Sequence, residues 1–263
     1  MDDLEMQQYL FDLQGYLVIE NVLSETEVSR FNELLDEQEL PAPGQTQRFG
    51  SAPEGPGFLQ WGKQFCDLLD HPKILPILRF RLGDAFRLDR IYGMCMREGM
   101  KRGRLHADYG ATAPYSGARR GEYFPFRDNQ IVNGFVVVTW NMTDTGPDSG
   151  GFCCIPGSHK SNFKLPQPID DAPEKAACVV VPNAPAGSAI LFTEALTHGT
   201  AAWTAKHQRR SLLYKYCVSY MAWKTERVQP PTSVELTPRQ KILFRVPSDP
   251  LRFFPSLFGE SEG

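Results

Sequence analysis

The stretch Arg104-Leu105-His106-Ala107-Asp108-Tyr109 sets an imidazole and a carboxylate two residues apart, with only a small alanine between them. Side chains of an extended strand alternate between faces, so His106 and Asp108 point the same way and offer two donors to one ion. Such a pair suits a first-row divalent metal. Two His and one carboxylate on one face, leaving three coordination positions open, form the ligand set of non-haem Fe(II) oxygenases. The HxD spacing alone carries little, because five His among 31 acidic residues produce such a match readily by chance. A second imidazole has to come from elsewhere in the chain.

His71 precedes Pro72 and has no acidic neighbour at alternate spacing, so it reads as a cap or surface residue. His159 follows the Pro156-Gly157 turn beside Lys160 and reads as a local structural hydrogen bonder. His198 is different: it lies between a strand end and Gly199, where the backbone can bend its ring inward, and it supplies the missing ligand. Eleven residues later Arg209 opens a strand antiparallel to its neighbour and can aim a guanidinium into the same cavity. A permanently charged, bidentate donor beside a metal points to a dicarboxylate cosubstrate, and Thr200 can add a hydroxyl to the same carboxylate. Arg210 faces the other way by alternation and reads as a surface charge.

These residues need a scaffold that brings positions about a hundred residues apart to one point. Residues 5 to 13 read as a helix and 15 to 19 as a strand, and Ser24 with Glu27 makes a capping box that opens a second helix. Residues 41 to 57 read as a loop, and His71-Pro72 starts a helix through Leu82. After Gly83 short extended runs follow one another: 91 to 96, 105 to 109, 131 to 142, 151 to 155, 178 to 181, 189 to 192 and 211 to 220. Evenly spaced strands with Gly and Pro turns predict a mainly β fold with flanking helices, best met by a jelly roll, whose two sheets enclose a cavity. The insert Gly110 to Gln130, with Arg119, Arg120, Tyr123, Phe124, Phe126 and Arg127, reads as a lid, and a last helix is predicted over Thr237 to Phe244. The 263 residues are expected to form one domain: a helical part to about residue 85, a jelly-roll core over 86 to 222, and an extension over 223 to 263.

A chain of this length buries roughly 70 to 75% of its unfolded surface, so it needs no metal merely to fold. The net charge of -3, from 28 basic and 31 acidic residues, gives no electrostatic footprint for nucleic acid or an anionic membrane. The start Met1-Asp2-Asp3-Leu4-Glu5 lacks the pattern of a signal peptide and no apolar run is long enough to span a bilayer, so a soluble, cytoplasmic protein is expected. Six Cys without a CxxC pair predict buried free thiols.

HADYG at 106 to 110, YFPFR at 123 to 127, PGSHK at 156 to 160, HGT at 198 to 200 and RRSLLYKY at 209 to 216 together resemble the phytanoyl-CoA dioxygenase family of Fe(II)- and 2-oxoglutarate-dependent oxygenases. FDLQGYLVIENVLS resembles the opening of that family, so the likeness covers nearly residues 5 to 222. The resemblance implies a double-stranded β-helix, with His106, Asp108 and His198 holding iron and with Arg209 and Thr200 on the distal carboxylate of 2-oxoglutarate. By position it also implies cosubstrate contacts from Thr139 and, more weakly, Tyr92. Where many relatives carry a Gln three residues before the first ligand, this chain has Gly103. Related halogenases have a small residue at the position of Asp108, so Asp108 favours hydroxylation, or desaturation or cyclisation from the same oxidant, with O2 as co-reactant.

Two other readings share these residues. A zinc hydrolase could use the same His, Asp and His, but it leaves Arg209 unexplained and lacks an evident general base. A noncatalytic cupin-like binding module would bring the three residues together by accident. The substrate is expected to be a small molecule, and Arg97, Lys101, Arg102, Arg104, Arg119, Arg120 and Arg127 around the predicted mouth allow an anionic one.

Overall fold

Residues 4–42, 48–51, 55–108, 126–127, 130–131, 134–223 and 225–259 are described by the computed structural model. In chain order the elements are α1 (Leu4–Gln14), β1 (Tyr16–Ile19), α2 (Glu25–Asp36), β2 (Arg48–Phe49), α3 (Lys63–Asp67), α4 (Leu75–Leu82), β3 (Phe86–Met96), β4 (Phe126–Arg127), β5 (Gln130–Ile131), β6 (Phe135–Asn141), β7 (Gly151–Cys154), α5 (Gln167–Asp171), β8 (Ala189–Thr193), β9 (His198–Ala201), β10 (Arg209–Val218) and α6 (Pro238–Ile242).

The β-branched run of β6, Val136 to Thr139, lies in the middle of a six-stranded antiparallel sheet of order β1-β8-β6-β10-β3-β2. Every residue of β6 is buried, which requires cover on both faces. Val136, Val138 and Trp140 turn to the face under the helices and pack with Phe31, Leu35, Phe65 and Leu78. Val137 turns to the other face, with Tyr92, Ile190, Phe192 and Leu213. The second sheet pairs β7 with β9 and is widened by single bridges, His106 to His198 on one side and Cys154 to Val180 on the other. Two antiparallel sheets facing each other across a side-chain-lined space are the jelly roll expected from the strand spacing.

The capping box of α2 is present as read, with Glu27 N–H donating to Ser24 Oγ and Ser24 N–H donating to a Glu27 carboxylate oxygen. Other expectations need correction. Residues 72 to 74 form a turn closed on the His71 carbonyl, so α4 begins at Leu75 with Pro76, not Pro72, in its first turn. The predicted strand over 131 to 142 is two elements: Gln130–Ile131 pairs with Phe126–Arg127, and the central strand starts at Phe135. The loop over 41 to 57 contains an edge strand, β2, which pairs with β3. Its Phe49 ring packs against Gly93, where a Cβ would stand 2.1 Å from the ring. The final helix is one turn shorter than predicted, capped by Thr237 and Gln240. The lid reading of 110 to 130 falls outside the described residues apart from the backbone of β4 and β5.

The chain beyond β10 packs on the helical face of the main sheet. Val228, Leu236, Leu243, Phe244, Phe254 and Leu257 are buried in the same apolar cluster as α2 and α4, and the Leu88 N–H donates to the Leu243 carbonyl at 2.8 Å. Five of the cysteines are buried, whereas Cys178 is exposed, against expectation. No helix among the described residues is long and apolar enough to cross a membrane.

Candidate metal centre

His106 and His198 face each other as a bridge pair: the His106 N–H donates to the His198 carbonyl at 2.9 Å and the reverse bond is 2.8 Å. Backbone pairing thus fixes the separation of two side chains 92 positions apart in sequence, and their ring centroids lie 4.7 Å apart. His198 is the first residue of β9, not a bend after a strand end, and its ring is held by Phe192 at 4.6 Å and Phe152 at 6.2 Å between centroids. Asp108 joins them by alternation from His106, with its Oδ1 3.9 Å from His106 Nε2. One donor atom from each of the three residues falls within 4.8 Å of the others, the one such group found among the described residues.

The second nitrogen of each ring fixes which nitrogen faces the cluster. His106 Nδ1 lies 3.0 Å from the Arg104 carbonyl and His198 Nδ1 lies 2.8 Å from the Leu196 carbonyl. A carbonyl only accepts, so both Nδ1 atoms carry the proton and both Nε2 lone pairs are free for a metal, the usual outer support of a metal-binding imidazole. Burial, partly offset by the Asp108 carboxylate, holds His198 down at a pKa of about 4, so it is neutral as a ligand must be. Burial would raise the Asp108 carboxyl, but the Lys215 ammonium, followed by His198 and His106, outweighs it and holds the carboxylate at about 2.

Lys215 was not anticipated, and its Nζ donates to Asp108 Oδ2. The two carboxylate oxygens are therefore divided, Oδ1 toward the imidazoles and Oδ2 to the ammonium. The signal was present in RRSLLYKY, because Lys215 is an even number of residues from Arg209 and shares its strand face.

Arg209 enters from β10 opposite Met96 of β3 and is 3% exposed. Its Nη1 lies 3.4 Å from Met96 Sδ and its Nε has no hydrogen-bond partner. Burial pulls its pKa down to about 10, so it remains charged at neutral pH. Among the described residues no carboxylate pairs with it, an arrangement that costs several kcal/mol unless an anion is supplied.

Thr139 is 1% exposed with an unpartnered Oγ1, and its cross-strand partners Ile190 and Leu213 belong to the inner cluster. Tyr92 also faces inward beside Leu213, under the Arg48 guanidinium at 4.4 Å and the Arg90 guanidinium at 5.4 Å. Thr200 is on the His198 face of β9, paired with Phe152. A Cβ at Gly103 would stand 3.5 Å from the Thr200 Cβ, so this glycine leaves room beside the hydroxyl that a longer side chain would fill.

Other predicted roles divide. His159 is fully buried with Nε2 2.9 Å from the Asp12 carbonyl, a structural contact as read. His71 packs edge-on against Trp140 at 5.3 Å. Arg210 is no surface charge: it pairs with Asp36 at 2.6 Å and reaches Asn32, tying β10 to α2. Of the arginines expected at the mouth, Arg97, Arg102 and Arg104 are engaged in structure, and the side chains of Arg119, Arg120 and Arg127 lie outside the described residues. Arg97 donates to the Pro41 carbonyl, Arg102 to the Asp170 and Asp171 carbonyls, and Arg104 pairs with Asp170.

The sequence model of the family described as Phytanoyl-CoA dioxygenase (PhyH) matches residues 11–211. No match is found among curated proteins. Among solved structures, HygX from Streptomyces hygroscopicus with nickel and 2-oxoglutarate bound is 23% identical, with a TM-score of 0.70 over 83% of this chain and 89% of that one. A structure of HygX that also holds hygromycin B has the same identity, score and coverage. The non-heme alpha ketoglutarate dependent carbocyclase SnoK from nogalamycin biosynthesis is 19% identical, with a TM-score of 0.60 over 86% and 87% of the two chains. These likenesses show the shared fold, and the family match spans three quarters of the sequence, ligand-bearing strands included. The chain belongs to the phytanoyl-CoA dioxygenase (PhyH) family.

Proposed function

We propose that the protein is an Fe(II)- and 2-oxoglutarate-dependent oxygenase that hydroxylates a small organic molecule, with His106, Asp108 and His198 as iron ligands. The observation that carries this reading is a three-donor face together with a buried guanidinium that has no carboxylate partner among the described residues. Two neutral imidazoles and a carboxylate fit a ferrous ion in the facial arrangement that leaves three positions free. When bound, iron and 2-oxoglutarate supply O2 activation coupled to decarboxylation of the cosubstrate to succinate.

The chain's own residues orient and shield. Arg209 takes the distal carboxylate of 2-oxoglutarate in a charge-assisted pair, with Thr200 as hydroxyl donor. Thr139 and Tyr92 line the floor between Arg209 and the ligands. Phe152, Phe192 and Leu213 exclude water from that floor, which strengthens each charged contact. Bound metal and 2-oxoglutarate in a HygX structure, and hygromycin B in another, support a cosubstrate site and a small-molecule substrate. The neighbours include a carbocyclase and an epimerase, so ring formation and epimerisation stand beside hydroxylation as outcomes of one oxidant. A zinc hydrolase would leave the charge of Arg209 without a partner.

Anaerobic addition of Fe(II) and 2-oxoglutarate tests the reading. A visible metal-to-ligand charge-transfer band is expected; a colourless protein that nonetheless binds iron would overturn it. Asp108→Ala should lose iron, measured by metal content after gel filtration, and full occupancy together with normal succinate release would remove Asp108 from the ligand set.

A further inference from the structure

The inner face of the main sheet carries more positive charge than the proposed chemistry uses. Arg209 and Lys215 lie on that face as the first and seventh residues of β10, six positions or roughly 20 Å apart along it. Arg90 is the cross-strand partner of Lys215 on β3. Lys215, Arg90 and Tyr92 are close enough to influence one another electrostatically. Arg90 is half-buried, its Nε has no hydrogen-bond partner, and no carboxylate among the described residues pairs with it. The Lys215 side chain is 8% exposed and its neighbour of opposite charge is Asp108.

A divalent metal, Asp108, a dicarboxylate and Arg209 sum to zero charge. With Asp108 counted against the metal, Lys215 and Arg90 have no further carboxylate among the described residues. A buried cation such as Lys215 is costly without an anion to pair, and an anion placed there would also meet the Arg90 guanidinium. We propose that the substrate carries a carboxylate or phosphate group, held between Arg90 and Lys215 at the end of the barrel away from Arg209. This rests on the oxygenase reading for the identity of the occupant as substrate.

Lys215 also sets a distance. An ammonium has three donors, so Nζ can keep its bond to Asp108 Oδ2 and donate a second hydrogen to an anion. An anion so held lies two charge-assisted hydrogen bonds, roughly 5–6 Å, from the Asp108 carboxylate. The carbon presented to the metal is therefore a near neighbour of the anionic group, not the far end of a long chain. The Arg48 guanidinium also lies over the Tyr92 ring, 4.4 Å from its centroid. The rim arginines Arg97, Arg102 and Arg104 are not the anion site, being bound to carbonyls and to Asp170.

The experiment titrates the anaerobic Fe(II) protein, with 2-oxoglutarate saturating so that Arg209 is occupied, with methyl phosphate, hexanoate and neutral hexanamide. The charge-transfer band and the melting temperature are read together. One of the two anions should perturb the band saturably and raise the melting temperature, and hexanamide should do neither; which anion acts distinguishes phosphate from carboxylate. Arg90→Gln should weaken that response at least about tenfold, and Arg90→Lys should restore most of it. No response to either anion, an equal response to hexanamide, or an undiminished response in Arg90→Gln would overturn the proposal. A protein with no band at all would sink the oxygenase reading instead, and the Arg90 dependence of the melting temperature would still decide whether an anion binds here.

Discussion

A carbonyl on each Nδ1 decides what His106 and His198 can do, and an ammonium on one oxygen decides the same for Asp108. None of these partners belongs to the ligand set, yet they present two Nε2 atoms and one carboxylate oxygen to a common point. Arg209→Ala should weaken 2-oxoglutarate binding by about 2–5 kcal/mol, roughly 30-fold to several thousandfold, because a buried charged pair loses one partner. Iron binding should be unchanged, and isothermal titration with each component separates the two; equal cosubstrate affinity in both proteins would remove Arg209 from the site. A second residue-scale prediction concerns His159, which burial holds at a pKa of about 4 against about 6.5 when unfolded. A base with a lowered folded pKa gives stability that is complete above about pH 6.5 and is lost as the pH falls toward 4, since the unfolded chain takes up the proton first. The loss amounts to about 3 kcal/mol. Urea unfolding of His159→Gln between these pH values should show a shallower acid slope than the parent, and an identical slope would remove His159 as its source.

At the scale of elements, the site is a register problem. The short extended segment through His106 adds to the edge of β9 by a few hydrogen bonds, including Gly103 N–H to the Thr200 carbonyl at 2.7 Å. Gly199 makes this close approach possible, because a Cβ there would meet the Arg104 carbonyl oxygen at 3.0 Å and Leu105 at 3.1 Å. Gly199→Ala should therefore widen the bridge and move the two imidazoles apart, lowering metal affinity about tenfold or more while far-UV circular dichroism stays the same. Unchanged affinity would mean that the bridge does not set the ligand spacing. Much of this scale was legible beforehand: the capping box at Ser24, the two-residue spacing of His106 and Asp108, and the strand through Arg209 all follow from local periodicity. Arg210 was misplaced because alternation gives a face, not what packs on that face. Here α2 covers the outer side of β10, and Asp36 turns an expected surface charge into a tie between layers.

For the whole molecule, the main sheet has two apolar faces, one given to the helices and the C-terminal extension and the other to the site. The extension contributes side chains to the same core as α2 and α4, so it is expected to unfold with the rest and not as a separate unit. Leu243 is fully buried, and Leu243→Ala should cost about 2–5 kcal/mol and lower the melting temperature by several degrees. Differential scanning calorimetry should show one shifted transition; a second, independent transition for the extension would refute a single domain.

The sequence by itself determined the donor types and their order along the chain, along with the alternation that points His106 and Asp108 one way and sets Lys215 on the face of Arg209. These are properties of neighbours within a few residues, and the two-residue period of a strand fixes them before any folding. Only the tertiary structure decided that His106 pairs with His198, that Lys215 reaches Asp108, and that Arg97, Arg102 and Arg104 are occupied while Arg90 pairs with no carboxylate among the described residues. Those outcomes depend on which strands meet and in what register, and register is settled by burying two faces of one sheet at once, a condition no local stretch of residues contains.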